Sequence, residues 1–307
     1  MRLIRSSNQL PELKQQTIAS IGNFDGFHLG HQAILRYASE QAREQQAKLV
    51  LLSFEPTAKE FFLRERAPAR IYTLRQKLEL AQAYAVDYFV CLRFNQQLAN
   101  MPATDFIREI LFKDLNIQHL VVGDDFRFGH QRIGDLALLE TMGAELGFTV
   151  QDCRTLLHGE SRVSSSAIRE KLQAGRFDLV ESLLGRAFSI KGKVFHGDKR
   201  GRAIGFPTAN ILLRRKVLPI RGVFVVTASN GQNHWQGVAN VGNRPTVNGQ
   251  RNQLEVHCFD CTEDLYGQNL DVTFLHKLRD EKKFSSFEAL KHQISLDVES
   301  AQTYFNQ

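Results

Sequence analysis

Short apolar runs alternate with segments of helical pattern along the first half of the chain. The apolar runs predict buried strands at Ile18–Gly22, Lys48–Phe54, Asp87–Leu92, His119–Gly123 and Thr149–Cys153. The segments between them predict helices at His28–Gln46, Leu74–Val86, Thr104–Asp114 and Leu136–Leu146. Strands that alternate with helices predict a parallel sheet covered by helices on both faces, which is an α/β fold.

The pattern changes after about residue 186. Closely spaced strands are predicted at Ser189–Phe195, Gly222–Ser229, His234–Val241, Gln253–Phe259 and Asn269–Lys277, with Gly-, Asn- and Pro-containing turns between most of them. Such strands indicate a small barrel or sandwich. Apolar residues at helical spacing predict a closing amphipathic helix over Ser286–Asn306. We therefore expect two domains, residues 1–184 and 185–307.

Length and composition agree with two ordinary globular domains. The chain has 307 residues, of which 43% are hydrophobic and 23% charged, so disordered and fibrous classes are excluded. No apolar run reaches the roughly 18 residues of a membrane helix, and the N-terminal residues lack the apolar stretch of a signal peptide. Four cysteines in this length do not make a disulfide framework. We expect a soluble, cytoplasmic protein without a membrane partner.

Positive charge is concentrated in one segment. The net charge is +6, but residues 186–221 alone hold ten basic side chains against the single acid Asp198. These are Arg186, Lys191, Lys193, Lys199, Arg200, Arg202, Arg214, Arg215, Lys216 and Arg221. A basic patch of this kind attracts phosphate, either of a nucleotide or of a nucleic acid, or is simply a solvated surface.

A glycine-rich string lies between the first strand and the first helix. Residues 22–31 read GNFDGFHLGH, at the position where α/β proteins bind phosphates. Its glycines allow the backbone to approach a ligand closely, and the helix N-terminus favours an anion. His28 and His31 are three residues apart, so both project to one side of the first turn and can donate to a triphosphate. The spacing fits neither a P-loop nor a dinucleotide fingerprint.

This string resembles the nucleotidyltransferase signature H-x-G-H. In its longer form, G-x-F-D-G-x-H-x-G-H, it is similar to the FMN adenylyltransferase module of bacterial FAD synthetases, which implies a Rossmann-like domain. The resemblance implies that His28 and His31 are catalytic. It implies ATP contacts from Gly22, Phe24, Asp25, Gly26 and Gly30.

Three later segments bear on the same module. The loop of residues 121–129, VVGDDFRFG, resembles the family's flavin-side loop, which implies flavin contacts from Asp124, Asp125, Phe126 and Phe128. Residues 163–169, VSSSAIR, resemble its S-S-T-x-I-R element, with Ser166 at the threonine position. There Ser164 and Ser165 are implied to bind ATP, and Arg169 to stabilise charge on the phosphates. Thr57 and Ala58 stand where relatives often carry His-Pro, so contacts from that loop are open.

Inside the basic patch, residues 201–211 read GRAIGFPTANI. This string closely resembles the G-R-x-L-G-F-P-T-A-N motif of riboflavin kinases. The resemblance implies that Thr208 and Asn210 hold Mg²⁺ and the ATP phosphates, and hydroxyl and amide oxygens are suitable hard ligands. It implies a phosphate-covering loop with ATP contacts from Gly192, Lys193, Gly197, Gly201 and Arg202.

A phosphoryl acceptor also needs a base. Alternation along the strand places Glu255, His257 and Phe259 on one face and Cys258 on the other. The stretch resembles the kinase E-x-H-x-F-D motif, which makes Glu255 the base for the ribityl 5′-hydroxyl. The G-x-x-N-x-G-x-R-P-T turn and the terminal loop imply flavin contacts from Asn240, Arg244 and Arg279. Cys258 and Cys261 form one C-x-x-C, and we take Cys258 as a buried thiol rather than a zinc ligand.

The resemblance spans both modules in the family's order. It implies an enzyme that makes FMN from riboflavin and ATP, then FAD and pyrophosphate from FMN and ATP, with Mg²⁺ and no nucleic-acid partner. A chain in which only the kinase works remains an alternative because of Thr57 and Ala58. A nucleic-acid-binding protein that uses residues 186–221 and a flavin carrier without turnover are the non-catalytic alternatives. The oligomeric state is not indicated.

Overall fold

A computed structural model describes residues 1–5, 15–153, 157–158, 161–196, 205–213, 215, 217–246 and 249–307. The contacts divide the chain into two compact units. The first contains Met1–Pro68 and Tyr72–Ser165, and the second contains Ala69–Ile71 and Ser166–Gln307. Each unit has its own sheet.

The first unit is an α/β domain. Its strands are β1 (Arg2–Ile4), β2 (Thr17–Ile21), β3 (Lys48–Phe54), β4 (Tyr88–Leu92), β5 (Ile117–Gly123), β6 (Thr149–Cys153), and the small pair β7 (Leu157–His158) and β8 (Ser161–Arg162). Its helices are α1 (Leu29–Glu44), α2 (Ala58–Leu63), α3 (Leu74–Gln82), α4 (Gln96–Ala99), α5 (Ala103–Asp105), which continues as a π-helical segment over Phe106–Asp114, and α6 (Leu136–Leu146). One-turn 3₁₀ helices cover Arg64–Arg66 and His130–Arg132.

The main sheet is parallel throughout, in the order β1-β4-β3-β2-β5-β6. Alternate side chains of β3 pack into two hydrophobic cores, one on each face of the sheet. Leu49 and Leu51 pack with α1 and α3, whereas Val50 and Leu52 pack with the π-helical segment and α6. This double burial explains the uninterrupted apolar run, and the predicted Rossmann-like architecture is confirmed.

The strand order reverses between β2 and β5. The chain runs from β2 outward to β3 and β4, then returns to place β5 on the other side of β2. In open α/β sheets, ligands bind at such a switch point, beyond the carboxyl ends of the strands. The loops that follow β2 and β5 contain the two motifs singled out in the sequence.

The second unit is a closed antiparallel barrel in the order β10-β13-β12-β11-β14-β9. Its strands are β9 (Ser189–Phe195), β10 (Ala209–Leu212), β11 (Gly222–Ser229), β12 (His234–Thr246), β13 (Gly249–Cys258) and β14 (Asn269–Arg279). Its helices are α7 (Ser165–Gln173), which begins at the last residue of the first unit, α8 (Phe177–Leu184) and α9 (Phe287–Phe305). The predicted small barrel with a terminal helix is confirmed.

Residues 166–184, which the sequence-based boundary gives to the first domain, associate with the barrel. The Phe177 ring of α8 lies 5.7 Å from Phe224, 6.0 Å from Phe274 and 6.4 Å from Phe188. Burial of these rings packs α8 against the barrel, in agreement with the division of the compact units after Ser165.

Most predicted elements form within a few residues of their expected ends. The main differences are that α3 ends at Gln82 and that β12 continues to Thr246. The sequence patterns did not predict β1, α2, α8 or β10. These elements are short, and the two strands among them, β1 and β10, pair with strands that are distant in sequence.

Candidate active sites

The two histidines of the first motif lie side by side. His28 is the N-cap of α1, and its Nδ1 accepts a hydrogen bond from the backbone N–H of His31 at 3.4 Å. The two imidazole rings stack with centroids 3.6 Å apart. A Cβ at Gly30 would come within 3.2 Å of the His28 ring, so glycine leaves room for this stack. Because Nδ1 accepts, the neutral ring of His28 carries its proton on Nε2.

The loop before these histidines has an uncommon backbone. Phe24 and Phe27 have φ values of 47° and 46°, and Gly26 has 85°. For a residue with a side chain, this conformation costs about 1–2 kcal/mol. Both phenylalanine rings are fully buried, which holds the loop in place. Only the backbone of Phe24, which was predicted to contact ATP, can therefore face a ligand.

Asp25 is turned toward protein groups. Its carboxylate accepts from the backbone N–H of Tyr72 at 3.0 Å, and its carbonyl oxygen accepts from the hydroxyl of Ser165 at 2.8 Å. The side chain is 6% exposed. Asp25 and Ser165, both predicted as ATP contacts, therefore fix the shape of the loop together.

The loop after β5 carries the predicted flavin contacts. Arg162 lies 2.7 Å from a carboxylate oxygen of Asp125 and 3.4 Å from one of Asp124. The rings of Phe126 and Phe128 stack with centroids 5.4 Å apart. The structure thus brings all four predicted residues into one short loop, next to a cation that the sequence analysis did not select.

A connected row of aromatic rings extends from this loop across the edge of the sheet. The consecutive centroid distances are 5.5 Å for Phe128–Phe106, 6.5 Å for Phe106–Phe54, 6.1 Å for Phe54–Phe94 and 5.4 Å for Phe94–Phe61. Phe62 adjoins Phe61 and Phe94 and is 62% exposed. Sequence reasoning missed this row, although Phe54 ends one strand and Phe94 closely follows another.

Thr57, which departs from the family pattern, has a clear structural role. Its hydroxyl accepts from the N–H of Glu60 at 3.3 Å, and the Glu60 carboxylate accepts from the N–H of Thr57 at 2.8 Å. This capping box begins α2, the helix that carries Phe61 and Phe62. The substitution therefore retains an ordered segment at the sheet edge.

In the barrel, three predicted residues form one row across adjacent strands. Glu255 of β13 is in register with Asn210 of β10 on one side and with Asn240 of β12 on the other. Gln253, which sequence reasoning missed, donates from Nε2 to Glu255 Oε1 at 2.9 Å and also to Asn210 Oδ1. Asn210 Nδ2 donates to the Thr208 carbonyl oxygen at 3.1 Å. The period-2 spacing of Gln253 and Glu255 was an available signal.

The predicted faces of β13 are confirmed. Leu254, Val256 and Cys258 are buried, while Glu255 and His257 are half-buried on the opposite face. The imidazole Nδ1 of His257 lies 2.8 Å from the Pro207 carbonyl oxygen. This contact ties β13 to the segment that leads into Thr208.

Burial raises the pKa of the Cys258 thiol to about 12. The thiol is therefore protonated at neutral pH, and the four cysteines of the chain are free. Among the described residues, no group of three His, Cys, Asp or Glu side chains is arranged to hold a metal ion. The donors near Thr208 are a hydroxyl, an amide oxygen and the Glu255 carboxylate, which fit Mg²⁺ because that ion takes few protein ligands alongside phosphate and water.

Arg279 is held by the terminal helix. Its Nε and Nη2 lie 2.8 and 2.7 Å from the two carboxylate oxygens of Asp297 in α9, where Gln293 donates to the same carboxylate at 3.0 Å. The side chains of Arg279 and Asp297 are 15% and 6% exposed. The predicted flavin contact is therefore also a buried clamp between β14 and α9.

Replacing Arg279 with Met is expected to lower the free energy of unfolding of the second unit by about 3–5 kcal/mol, because Asp297 would stay buried without its cation. The one tryptophan of the chain, Trp235, lies in β12, so its fluorescence during denaturant unfolding reports on this unit. Arg176→Met is the matched control, since its pair with Asp178 is exposed. Equal transitions for the two variants would contradict the clamp.

Close to Arg279 in the chain, the carboxylate of Glu281 lies over Gly242. A Cβ at Gly242 would overlap the carboxylate of Glu281, so the exposed Glu281 side chain would have to move if Gly242 were replaced. Glu281 Oε1 is 3.5 Å from Asn240 Nδ2. Asn240, predicted to contact flavin, thus has its amide against a carboxylate of the terminal loop.

Other predicted positions lie in β9 and beside the first loop of the α/β unit. Gly192 lies in β9, where a Cβ would be 2.2 Å from Ile211, and Lys193 follows it on the exposed side. Gly22 and Ser164 are half-buried beside the first loop and α7. Gly197, Gly201, Arg202 and the side chain of Arg244 lie outside the described residues.

Arg169 belongs to the second compact unit. Its Nε donates to the Ala69 carbonyl oxygen at 2.6 Å. Its role at the phosphates stays a prediction from the sequence.

The basic segment of residues 186–221 is only partly described. Lys199, Arg200, Arg202, Arg214 and Lys216 lie outside the described residues. Of the others, Arg186 donates to the Leu184 carbonyl oxygen at 3.1 Å, and Lys191 is 3.5 Å from Asp271. These two cations have partners within the protein.

A nucleotidyltransferase-type loop on a parallel sheet and a kinase-type row in a barrel define a transferase with two sites. A family model for FAD synthetase matches residues 10–167, and one for riboflavin kinase matches residues 184–305. The chain belongs to the family of bifunctional riboflavin kinase/FMN adenylyltransferases. It converts riboflavin to FMN and FMN to FAD, so the expected activities are confirmed and the kinase-only alternative is not supported.

Relatives with that description match along nearly their whole length. The one from Escherichia coli K12 is 44% identical over 99% of this chain and 98% of its own. The one from Haemophilus influenzae is 43% identical over 100% of both chains. The one from Pseudomonas fluorescens is 46% identical over 98% of this chain and 97% of its own.

A solved structure shares the whole fold. A macrolide-efflux protein from Streptococcus pneumoniae superposes with a TM-score of 0.81 at 27% identity, covering 97% of both chains. In the described part of this chain, no helix combines the length and the apolar character that crossing a bilayer requires.

Proposed function

We propose that the row Asn210–Glu255–Asn240 of the barrel performs riboflavin phosphorylation. The register of these residues across three strands is the observation that carries this assignment. Gln253 orients both Glu255 and Asn210 through the two hydrogen bonds of its amide. The oxygen of the ribityl 5′-hydroxyl attacks the γ-phosphorus of ATP, and ADP leaves. Glu255 accepts the proton that this hydroxyl loses.

The metal assignment rests on the chemistry of the donors. Thr208 and Asn210 would hold Mg²⁺, with Glu255 nearby in register. When bound, Mg²⁺ neutralises charge on the phosphates of ATP. Gly192, Lys193, Gly197, Gly201 and Arg202 are proposed to cover those phosphates, and Arg244 and Arg279 to face the flavin, on the sequence resemblance.

The first loop of the α/β unit is proposed to perform adenylyl transfer. A phosphate oxygen of FMN attacks the α-phosphorus of ATP, and pyrophosphate leaves. The stacked His28 and His31 donate to the phosphates from the first turn of α1, where the helix dipole also favours the anion. Gly22, Gly26 and Gly30 let the backbone approach ATP, with Ser164 beside them, and Arg169 is proposed to stabilise the developing charge.

The partly exposed rings of the aromatic row, backed by the buried Phe106 and Phe128, are proposed as the flavin platform for this second reaction. The row continues from Phe126 and Phe128 to the exposed Phe62, at the carboxyl edge of the sheet where the switch point lies. A flat isoalloxazine ring stacks well on such side chains. Asp124 and Asp125, with Arg162 between them, supply polar contacts at one end.

The wider setting is also a proposal. Four free thiols support work in a reducing compartment, and we assign the enzyme to the cytoplasm. We assign adenylyl transfer to residues 1–184 and phosphorylation to residues 185–307, with small-molecule flavins and ATP as the only expected partners.

One time course tests the whole proposal. The purified chain is incubated with riboflavin, ATP and Mg²⁺, and the three flavins are separated by chromatography. FMN should rise first and FAD should follow. A chelator in excess should stop both steps, and added Mg²⁺ should restore them. FMN formation that survives chelation would contradict the metal assignment, and no conversion in the absence of the chelator would overturn the proposal.

A further inference from the structure

A buried lysine lies against the backbone of the adenylyl-transfer loop. Lys77 of α3 is 2% exposed, and its Nζ donates to the Asn23 carbonyl oxygen at 2.7 Å. Burial of an ammonium group is costly unless polar partners compensate for its lost hydration. A neutral apolar residue would fill this position at lower cost, so a cation here calls for a reason beyond packing.

The start of α3 holds the loop at two points. Tyr72, two residues before the helix, donates its backbone N–H to the Asp25 carboxylate at 3.0 Å. Lys77 reaches the carbonyl oxygen of Asn23, two residues earlier in the same loop. A capping box between Thr73 and Gln76 fixes the first turn of α3, which carries Lys77 and directly follows the segment of Tyr72.

The loop passes this restraint on to the histidines. Phe27 N–H donates to the Phe24 carbonyl oxygen at 3.3 Å, which closes a turn over Phe24–Phe27, directly after Asn23. Gln32 of α1 donates from Nε2 to the Phe27 carbonyl oxygen at 2.9 Å. His28 follows directly as the N-cap of α1. A shift at Asn23 therefore moves the residue that is proposed to meet the phosphates.

We propose that Lys77 is a positioning residue for adenylyl transfer, whose ammonium group holds the Asn23 carbonyl oxygen and thereby sets the loop that presents His28 and His31 to ATP. The inference rests on the proposed function of that loop. A displacement of about 1 Å in such a group can cost about 100-fold in rate. The kinase step, which uses residues of the barrel, does not depend on this contact.

The test compares four full-length variants in both reactions. Lys77→Met is expected to lower kcat for FAD formation from FMN by about 10- to 100-fold, while FMN formation from riboflavin keeps the wild-type rate. Lys77→Arg restores much of the loss, because a guanidinium also donates and stays charged. Lys113→Met is the matched control, since Lys113 is a surface lysine of the same unit that pairs with Glu109. His28→Asn reports separately on the loop's proposed catalytic role.

Each result decides one point. Wild-type kcat for FAD formation in Lys77→Met overturns the inference, whereas the same result in His28→Asn overturns the proposed site instead. A lower melting temperature of Lys77→Met with unchanged kcat below that temperature indicates a merely structural lysine and also overturns the inference. If Lys77→Met does not fold, Lys77→Gln, which keeps a donor but not the charge, replaces it, and an unchanged kcat again counts against the inference.

Discussion

Replacing Glu255 with Gln is expected to slow FMN formation from riboflavin by about 10²–10⁴-fold, the usual contribution of a general base. The amide keeps the shape of the side chain, and its oxygen still accepts from Gln253, which donates to Glu255 at 2.9 Å in the native protein. The loss therefore measures proton acceptance rather than packing. Initial rates of FMN formation, with riboflavin and ATP saturating, provide the measurement.

The same preparation contains its own control. FAD formation from supplied FMN, which we assign to the α/β unit, should keep its native rate. Glu288→Gln, at an exposed position in the first turn of α9, should leave both steps unchanged. If Glu255→Gln formed FMN at the native rate, the base would have to be another group.

In the α/β unit, the arrangement of side chains within each motif loop follows most directly from the sequence. The string of residues 22–31 is continuous, so the stacking of His28 on His31 follows from local geometry at one helix end. The same holds for Phe126 and Phe128, which are two residues apart. Local spacing needs no knowledge of how distant strands pair.

Contacts between distant segments were not predictable in this way. The row that joins Asn210, Glu255 and Asn240 depends on the register of three strands, and β10 itself was not predicted. A slip of one residue would turn Glu255 to the opposite face. The pairing of Arg279 with Asp297 likewise depends on how α9 returns to the barrel.

For two residues of the ATP motif, the fold determines which of their atoms are accessible. Phe24 and Asp25 belong to the ATP motif by sequence, yet the ring of Phe24 is in the core and the carboxylate of Asp25 binds the backbone of Tyr72. A motif specifies which residue types occur, but a backbone with positive φ decides which of their atoms face outward. Lys77 is the opposite case: it lies in no motif, and nothing in its local pattern indicates that its side chain reaches the loop.

Replacing His28 is expected to slow FAD formation by about 10²–10³-fold, the cost of removing one preorganised donor to the developing charge. His28 also caps α1, so His28→Ala removes a structural contact worth about 1 kcal/mol as well. His28→Asn separates these effects, because asparagine is a strong N-cap residue but has no imidazole. Both variants should accumulate FMN at the native rate while FAD falls, measured by chromatography of the three flavins. If His28→Asn made FAD as fast as the native chain while His28→Ala did not, the contribution of His28 would be to helix capping rather than to phosphate binding.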